Sequence, residues 1–300
     1  MIAIKTENIK YKKGYKKIDA DFVRQCDADF EAMLAQQVSD FCQKKDLRVI
    51  GLTGPTCSGK TTAAKKLTSY LGDESKRVIP VSLDDFFKDT FSREMLKDAD
   101  ITKLDFDSPD TVDIELFGEF IENIFKKGEA KKPIFDFTSG TRAKWENVVC
   151  DDDDILLIEG IQVLYPSVMK VVESFGVSVM GVRAESGIEI DCIKMDPNFI
   201  RFCRRLVRDS NFRGSDVDLV FGMWPNVSLN EQKNILPYMD KCDVCIDTTL
   251  AYEFNVLAPY IRRILTNDGG EKSKILNAID GIEGIDSSVI SANSLYKEFV

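Results

Sequence analysis

The stretch GPTCSGKTT, residues 54–62, directly follows the apolar run RVIGLT and opens onto TTAAKKLTSYL. A buried strand (LRVIGLT, 47–53), a glycine-rich turn and a helix (61–71) in that order restrict the fold to a short list. Gly54-x4-Gly59-Lys60-Thr61 fits the phosphate-loop pattern. Its glycines let successive backbone N–H groups turn inward, and the helix that follows adds its positive end. In such a loop Lys60 bridges the outer phosphates and the Thr61 hydroxyl binds Mg²⁺. Gly54, Pro55, Thr56, Cys57, Ser58, Gly59, Lys60, Thr61 and Thr62 are therefore the candidate nucleotide-binding residues.

The rest of the chain alternates in the same manner. Residues 18–45 carry Phe22, Val23, Cys26, Phe30, Met33, Leu34, Val38 and Phe41 at helical spacing. This amphipathic helix fits either packing on the core or a contact with a second copy. RVIPVSL (77–83) reads as a second strand, expected beside the phosphate-loop strand. A helix is expected over 113–127, and KPIFDFTSGTR (132–142) reads as a strand followed by a loop. DDDD (151–154) reads as a solvated turn, then ILLI (155–158) as a central strand ending at Glu159. VSVMGVR (177–183) and VCIDTTL (244–250) are further strands. PNFIRFCRRLVRDSNFRG (197–214) is a basic helix and 251–265 a closing helix. Apolar strands alternating with helices indicate a parallel sheet covered on both faces, with ligands at the carboxyl ends of its strands.

Composition removes whole classes of function. The 300-residue chain contains no histidine, which excludes histidine-dependent nucleophiles, histidine–zinc sites and imidazole acid–base catalysis. A net charge of −10 disfavours a broad nucleic-acid surface. No apolar run reaches the roughly 18 residues of a membrane span, and the first residues lack a signal-peptide core. A cytoplasmic protein with no membrane partner is expected. The eight cysteines are scattered, as suits reduced thiols. CDVC (242–245) has redox or zinc spacing but no second pair, and reads as structural.

Charged residues gather at the strand ends. Asp84 follows the second strand, where a carboxylate can accept a hydroxyl proton or hold Mg²⁺. Glu159 ends the most apolar strand, where a carboxylate needs a cation. Arg201, Arg204, Arg205 and Arg208 share one helix face, with Arg213 beyond them. Guanidiniums so arranged repel one another unless anions sit opposite, as in a lid closing over phosphates.

In this order GPTCSGKTT, LDDFF, DFDSPDTVD, FDFTSGTR, LLIEGI and RRLVRDSNFRG resemble the consecutive motifs of the uridine kinase/phosphoribulokinase family. The later segments, including ANSLYKEFV, are similar to a bacterial-type nucleoside kinase branch. The resemblance implies an α/β fold, a P-loop NTPase-type parallel sheet flanked by helices, with an arginine-bearing helical lid. It divides the chain into an extension (1–46), a kinase domain (47–267, lid about 197–225) and a tail (268–300). It implies ATP and Mg²⁺ as cofactors and a small-molecule acceptor, typically the ribose 5′-OH of uridine or cytidine. Asp84 resembles the catalytic base, supported by Lys60, Arg205 and Arg208. Thr61, Asp84 and Glu159 resemble the metal ligands. Asp84, Phe87, Asp107, Phe135, Gly140, Arg142, Arg205 and Arg213 fall in the motifs that bind the acceptor.

The chain departs from the pattern around the base. Phe87 and Phe135 stand where the family has tyrosine, Gly140 where it has histidine, and Ser215 where it has a second arginine. An apolar pocket discriminates less than one built on hydrogen bonds. The same transfer to a sugar phosphate, pantothenate or glycerate therefore stays open, as does a pseudokinase that binds ATP only. A guanine-nucleotide switch is the non-enzymatic alternative, since TKLD (102–105) mimics a guanine-reading motif.

Overall fold

The computed structural model describes residues 9–42, 47–72, 77–89, 107–136, 139–266 and 269–300. TKLD lies outside them. In chain order the elements are β1 (Tyr11–Lys13), α1 (Ala20–Cys42), β2 (Val49–Thr53), α2 (Lys60–Leu71), β3 (Val78–Ser82) and α3 (Ile114–Lys127). A hairpin follows, β4 (Glu129–Asp136) and β5 (Thr141–Val149), then β6 (Ile155–Glu159), α4 (Pro166–Val172) and β7 (Val177–Arg183). The chain continues through β8 (Gly187–Ile190), β9 (Ile193–Met195), α5 (Pro197–Phe212), α6 (Val217–Asn234), β10 (Val244–Asp247), α7 (Glu253–Ile264) and α8 (Gly270–Ala278).

Five strands form one parallel sheet in the order β10-β7-β2-β6-β3. β2 lies in the middle and is buried along its whole length. Its alternate residues divide between two cores: Ile50 and Leu52 face α1 and α2, and Val49 faces α3 and α4. β6 divides the same way, with Leu157 on one side and Leu156 and Ile158 on the other. Strands buried on both faces need helices on both faces, and this sheet has them.

The strand of Asp84 does not lie beside the phosphate-loop strand. β6 lies between them, with Leu52 and Ser82 both level with Glu159. The reason is visible in β3, where Pro80 is exposed. Proline cannot donate to a ladder, so its strand belongs at the sheet edge, whereas the fully apolar ILLI fits the interior. A second correction concerns 132–142. The strand there is longer, and the loop is the turn of an antiparallel hairpin, with Pro133 opposite Trp145.

α1 lays Val23, Phe30, Leu34, Val38 and Phe41 on the core that contains α2. Its Asp27 accepts the Tyr252 hydroxyl, the Ser294 hydroxyl at 3.1 Å and the Ser291 N–H at 3.3 Å. The helix thus also fastens the segment 291–300, whose Leu295, Tyr296 and Phe299 enter the same core. DDDD is only partly solvated: Asp154 is buried and paired with Arg77. Among the described residues no helix is long and apolar enough to cross a membrane.

Asp247 ends β10 and ties three segments together. It accepts from Glu185 N at 3.0 Å, Ser186 Oγ at 2.7 Å and Thr249 N at 3.0 Å, and Lys12 Nζ of β1 lies 2.9 Å away. Burial pushes its carboxyl up, but Lys12 and these donors prevail and bring it down to about 2. A folded-state value below the unfolded one stabilises fully above about pH 4 and is lost as pH falls through 2. Asp247→Asn is expected to cost about 2 kcal/mol at neutral pH and to flatten the loss of stability between those limits. Denaturant melts at pH 7, 4 and 2.5 check this, and parallel curves for both proteins would count against it.

Candidate active site

The turn after β2 is a left-handed nest. Cys57 has φ 55° and Gly59 φ 94°, conformations that cost a side chain energy. A Cβ on Gly54 would lie 1.8 Å from the Val182 carbonyl, and one on Gly59 2.2 Å from Leu295 Cδ1. Ser58 is buried, and its hydroxyl finds no partner among the described residues. Lys60 Nζ donates to the Gly54 and Pro55 carbonyls, both at 2.9 Å. The first N–H groups of α2 have no partner within the helix. Thr62 N and Oγ1 donate to Glu298 Oε2 at 3.4 and 3.2 Å, so a carboxylate already sits on an anion-binding helix start. Pro55 is buried in the loop, and exposed Thr61 lines a cavity of about 410 Å³ between α2 and the segment 292–298.

Lys60, Asp84 and Glu159 share one electrostatic environment. Asp84 stands in the single helical turn Leu83–Phe86 after β3. Burial raises its carboxyl to about 6, helped by the charge of Glu159 and opposed by Lys60 and Gln162. Gln162 Nε2 donates to Asp84 Oδ1 at 3.4 Å, and Ser82 Oγ donates to Glu159 Oε1 at 2.9 Å. A carboxylate of this kind is ionised at neutral pH and basic enough to take a proton. Asp85 turns to other work. It pairs with Lys132 and accepts Phe135 N at 3.2 Å, which fixes the hairpin to the acid turn.

Phe87 and Phe135 are buried and meet edge to face, centroids 5.6 Å apart. Arg142 holds this wall in place: its Nε donates to the Phe87 carbonyl at 3.0 Å and its Nη2 to Asp113 Oδ2 at 2.8 Å. Gly140, at φ 71°, makes the hairpin turn. The Asp107 carbonyl accepts from the Tyr165 hydroxyl at 2.7 Å and from Asn230 Nδ2 at 2.9 Å.

The arginines of α5 divide into two groups, and only one resembles the expected phosphate-facing patch. Arg201 and Arg204 are buried on carboxylates of their own. Arg201 Nη2 lies 2.7 Å from Glu231 Oε2, and Arg204 Nε 2.5 Å from Glu253 Oε1. Arg205, Arg208 and Arg213 share the single carboxylate of Asp209, at 3.3, 2.7 and 3.6 Å. Burial and the charges of Arg208 and Arg205 hold Arg213 below the ordinary guanidinium range. Three guanidiniums on one carboxylate leave a surplus of positive charge. Far from a detached flap, α5 packs Ile200, Phe202, Cys203, Leu206 and Val207 into a third core.

Sequence reasoning missed Glu231, Glu253, Gln162 and Glu298. The signal for the first two was partial: Arg201 and Arg204 sit among Ile200, Phe202 and Cys203, and an arginine drawn inside with them requires an acid partner. Nothing local marked Gln162 or Glu298. The CDVC thiols are free and pack over Gly181. Among the described residues no group of three or more histidine, cysteine, aspartate or glutamate side chains can hold a metal. The hard oxygens of Asp84 and Glu159 suit a Mg²⁺ ion that takes its other ligands from phosphate and water.

Residues 49–252 match the sequence model of the Phosphoribulokinase / Uridine kinase family, more than half of the chain. A uridine kinase of Clostridium botulinum is 31% identical over 179 residues, 60% of this chain and 77% of that protein. A uridine kinase of Borreliella burgdorferi is 28% identical over 181 residues, 60% of this chain and 76% of that protein. The solved phosphoribulokinase from Rhodobacter spheroides aligns with a TM-score of 0.47 and 13% identity, over 67% of this chain and 70% of that one.

Gly59 offers a direct check on the loop. Gly59→Ala meets both the left-handed φ and Leu295, and is expected to cost about 1–3 kcal/mol. In a Leu295→Ala background the clash is gone but the backbone strain is not, so part of the Gly59→Ala cost must persist when the double variant is compared with Leu295→Ala alone. A Gly59→Ala cost of zero in that background, read by chemical denaturation, would show that φ is not the constraint.

Proposed function

Because this chain belongs to the phosphoribulokinase / uridine kinase family, a family of small-molecule kinases, we propose that it transfers the γ-phosphoryl group of ATP to the ribose 5′-hydroxyl of a nucleoside. The observation that carries this reading is Asp84, a buried carboxylate raised to about 6 and set among Lys60, Glu159 and Gln162. The names of the curated relatives support a nucleoside as acceptor.

The loop 54–62 holds the phosphates through its N–H groups and the start of α2. Lys60 releases the Gly54 and Pro55 carbonyls and turns to the outer phosphates. A phosphate oxygen arriving at Thr62 displaces the Glu298 carboxylate. Glu159, Asp84 and the Thr61 hydroxyl are the residues that would hold Mg²⁺, which when bound neutralises charge on the phosphates. Asp84 accepts the proton of the attacking hydroxyl. Arg205, Arg208 and Arg213 bring surplus positive charge to the transferring group, as phosphoryl transfer requires. Phe87 and Phe135 form an apolar wall for the acceptor, and Asp107 grips its hydroxyls. Positioning and electrostatics supply the rate.

A second reading keeps the chemistry and changes the acceptor. The wall of Phe87 and Phe135 favours it, since apolar rings read the polar edge of a base poorly. ADP release coupled to a panel of uridine, cytidine, purine nucleosides, pantothenate, glycerate and sugar phosphates separates the two. Stimulation by a nucleoside supports the first reading; stimulation by another acceptor alone replaces it with the second.

Asp84→Asn is expected to lower turnover by at least about a thousandfold while leaving the affinity for ATP, measured without Mg²⁺, within threefold. In the unaltered protein the base form is lost as pH falls through about 6, so kcat/KM should drop about tenfold per pH unit below that value. A variant with full activity removes Asp84 from the role of base.

A further inference from the structure

We propose that Glu231, locked to Arg201, is a positioning residue that braces the phosphate loop from outside. Neither residue belongs to the set that touches nucleotide or acceptor in the reading above, and what the loop holds rests on that reading. Glu231 Oε1 accepts the Thr56 N–H at 2.8 Å and Arg201 Nη1 at 2.8 Å. Glu231 Oε2 accepts Arg201 Nη2 at 2.7 Å, and Arg201 Nη1 also donates to the Thr56 carbonyl at 3.1 Å. Both polar groups of the Thr56 backbone are thus held by side chains from α5 and α6. Glu231 is 1% exposed and Arg201 3% exposed, so water does not compete for these bonds.

The brace falls where the loop needs it. The next residue, Cys57, is left-handed without being glycine, a conformation that persists only when the surroundings impose it. Its carbonyl accepts Arg204 Nη1 at 3.3 Å, from a guanidinium locked in turn to Glu253. Two ion pairs therefore fix two successive residues of the loop, Thr56 and Cys57, before any ligand arrives. The Thr56 N–H is spent on a carboxylate, which marks where the anion-binding surface ends. The adjacent Asn230 donates to the Asp107 carbonyl, so the same turn of α6 sets the acceptor-side segment against the loop.

A buried ion pair is a poor device for stability alone, since two apolar side chains of similar volume usually serve as well. What an apolar pair cannot do is accept one backbone N–H and donate to the carbonyl of the same residue. Prepaying the order of a binding loop raises affinity, because binding no longer bears that cost.

The test uses the full chain carrying Glu231→Gln, with Arg201→Lys as the second variant. Lysine keeps the charge against Glu231 but lacks the fork that reaches both carboxylate oxygens and Thr56. Four quantities are read: thermal stability, affinity for Mg·ATP and for inorganic tripolyphosphate, the KM of the acceptor, and hydrogen exchange at the amides of 56–59. The brace predicts that both phosphate affinities fall about tenfold or more while the acceptor KM stays within twofold. It also predicts faster exchange at 56–59 without ligand. Asp154→Asn, which breaks the Arg77–Asp154 pair at the opposite end of the strands, should lower stability and leave affinity and exchange at the loop unchanged. Lower stability in Glu231→Gln or Arg201→Lys with unchanged affinity and exchange overturns the proposal. If Glu231→Gln does not fold, Arg201→Lys decides on the same readings. If the unaltered protein binds neither phosphate probe, the kinase reading fails, and loop exchange alone still tests the brace.

Discussion

Arg201 and Arg204 lie out of water on one helix, each locked to a glutamate from a later helix, and both reach back to the loop after β2. A guanidinium in that position is tolerable only when its hydrogen bonds are made, so the pairs dictate how α5, α6 and α7 assemble. Arg204 and Glu253 are 0% exposed, with the Tyr296 hydroxyl donating to Glu253 at 2.6 Å. The segment 291–300 is thereby drawn into the same arrangement. Its Leu295 lies against Gly59, and its Glu298 rests on Thr62.

Charge in this protein is sorted by whether it is spent. Arg201 and Arg204 are matched acid for base and act on the backbone. Arg205, Arg208 and Arg213 share Asp209 and are left with positive charge to offer. On the acid side, burial and the charge of Glu159 resist the ionisation of Asp84. A polyanion with its divalent cation satisfies both halves together. That complementarity is the electrostatic core of the kinase reading, and it requires no histidine.

Much of this was legible in the sequence. The apolar runs of β2 and β6, the glycines of the loop and the carboxylates at strand ends are local patterns, and local patterns survive without a fold. The strand order was harder, and Pro80 was the overlooked clue to an edge. β5 escaped notice because residues 143–147 are exposed on both faces and leave no alternating signal. The partners of the buried arginines lie 30 and 49 residues along the chain, a distance no spacing rule spans. Glu298 is 236 residues from Thr62, and only the folded chain joins them. The arginine face was seen correctly as a face, but its division into spent and unspent charge depends on acids that the sequence could not place.

The central claim is that the loop, the acid pair and the arginines together move a phosphoryl group onto a hydroxyl. The most direct measurement is to follow the γ-phosphate itself, with ATP carrying heavy oxygen at that position and uridine or cytidine as acceptor. Mass spectrometry then locates the label. The account predicts it in a nucleoside monophosphate, formed in step with ADP. Label found only in inorganic phosphate, or retained in ATP across the whole acceptor panel while ATP stays bound, would contradict it.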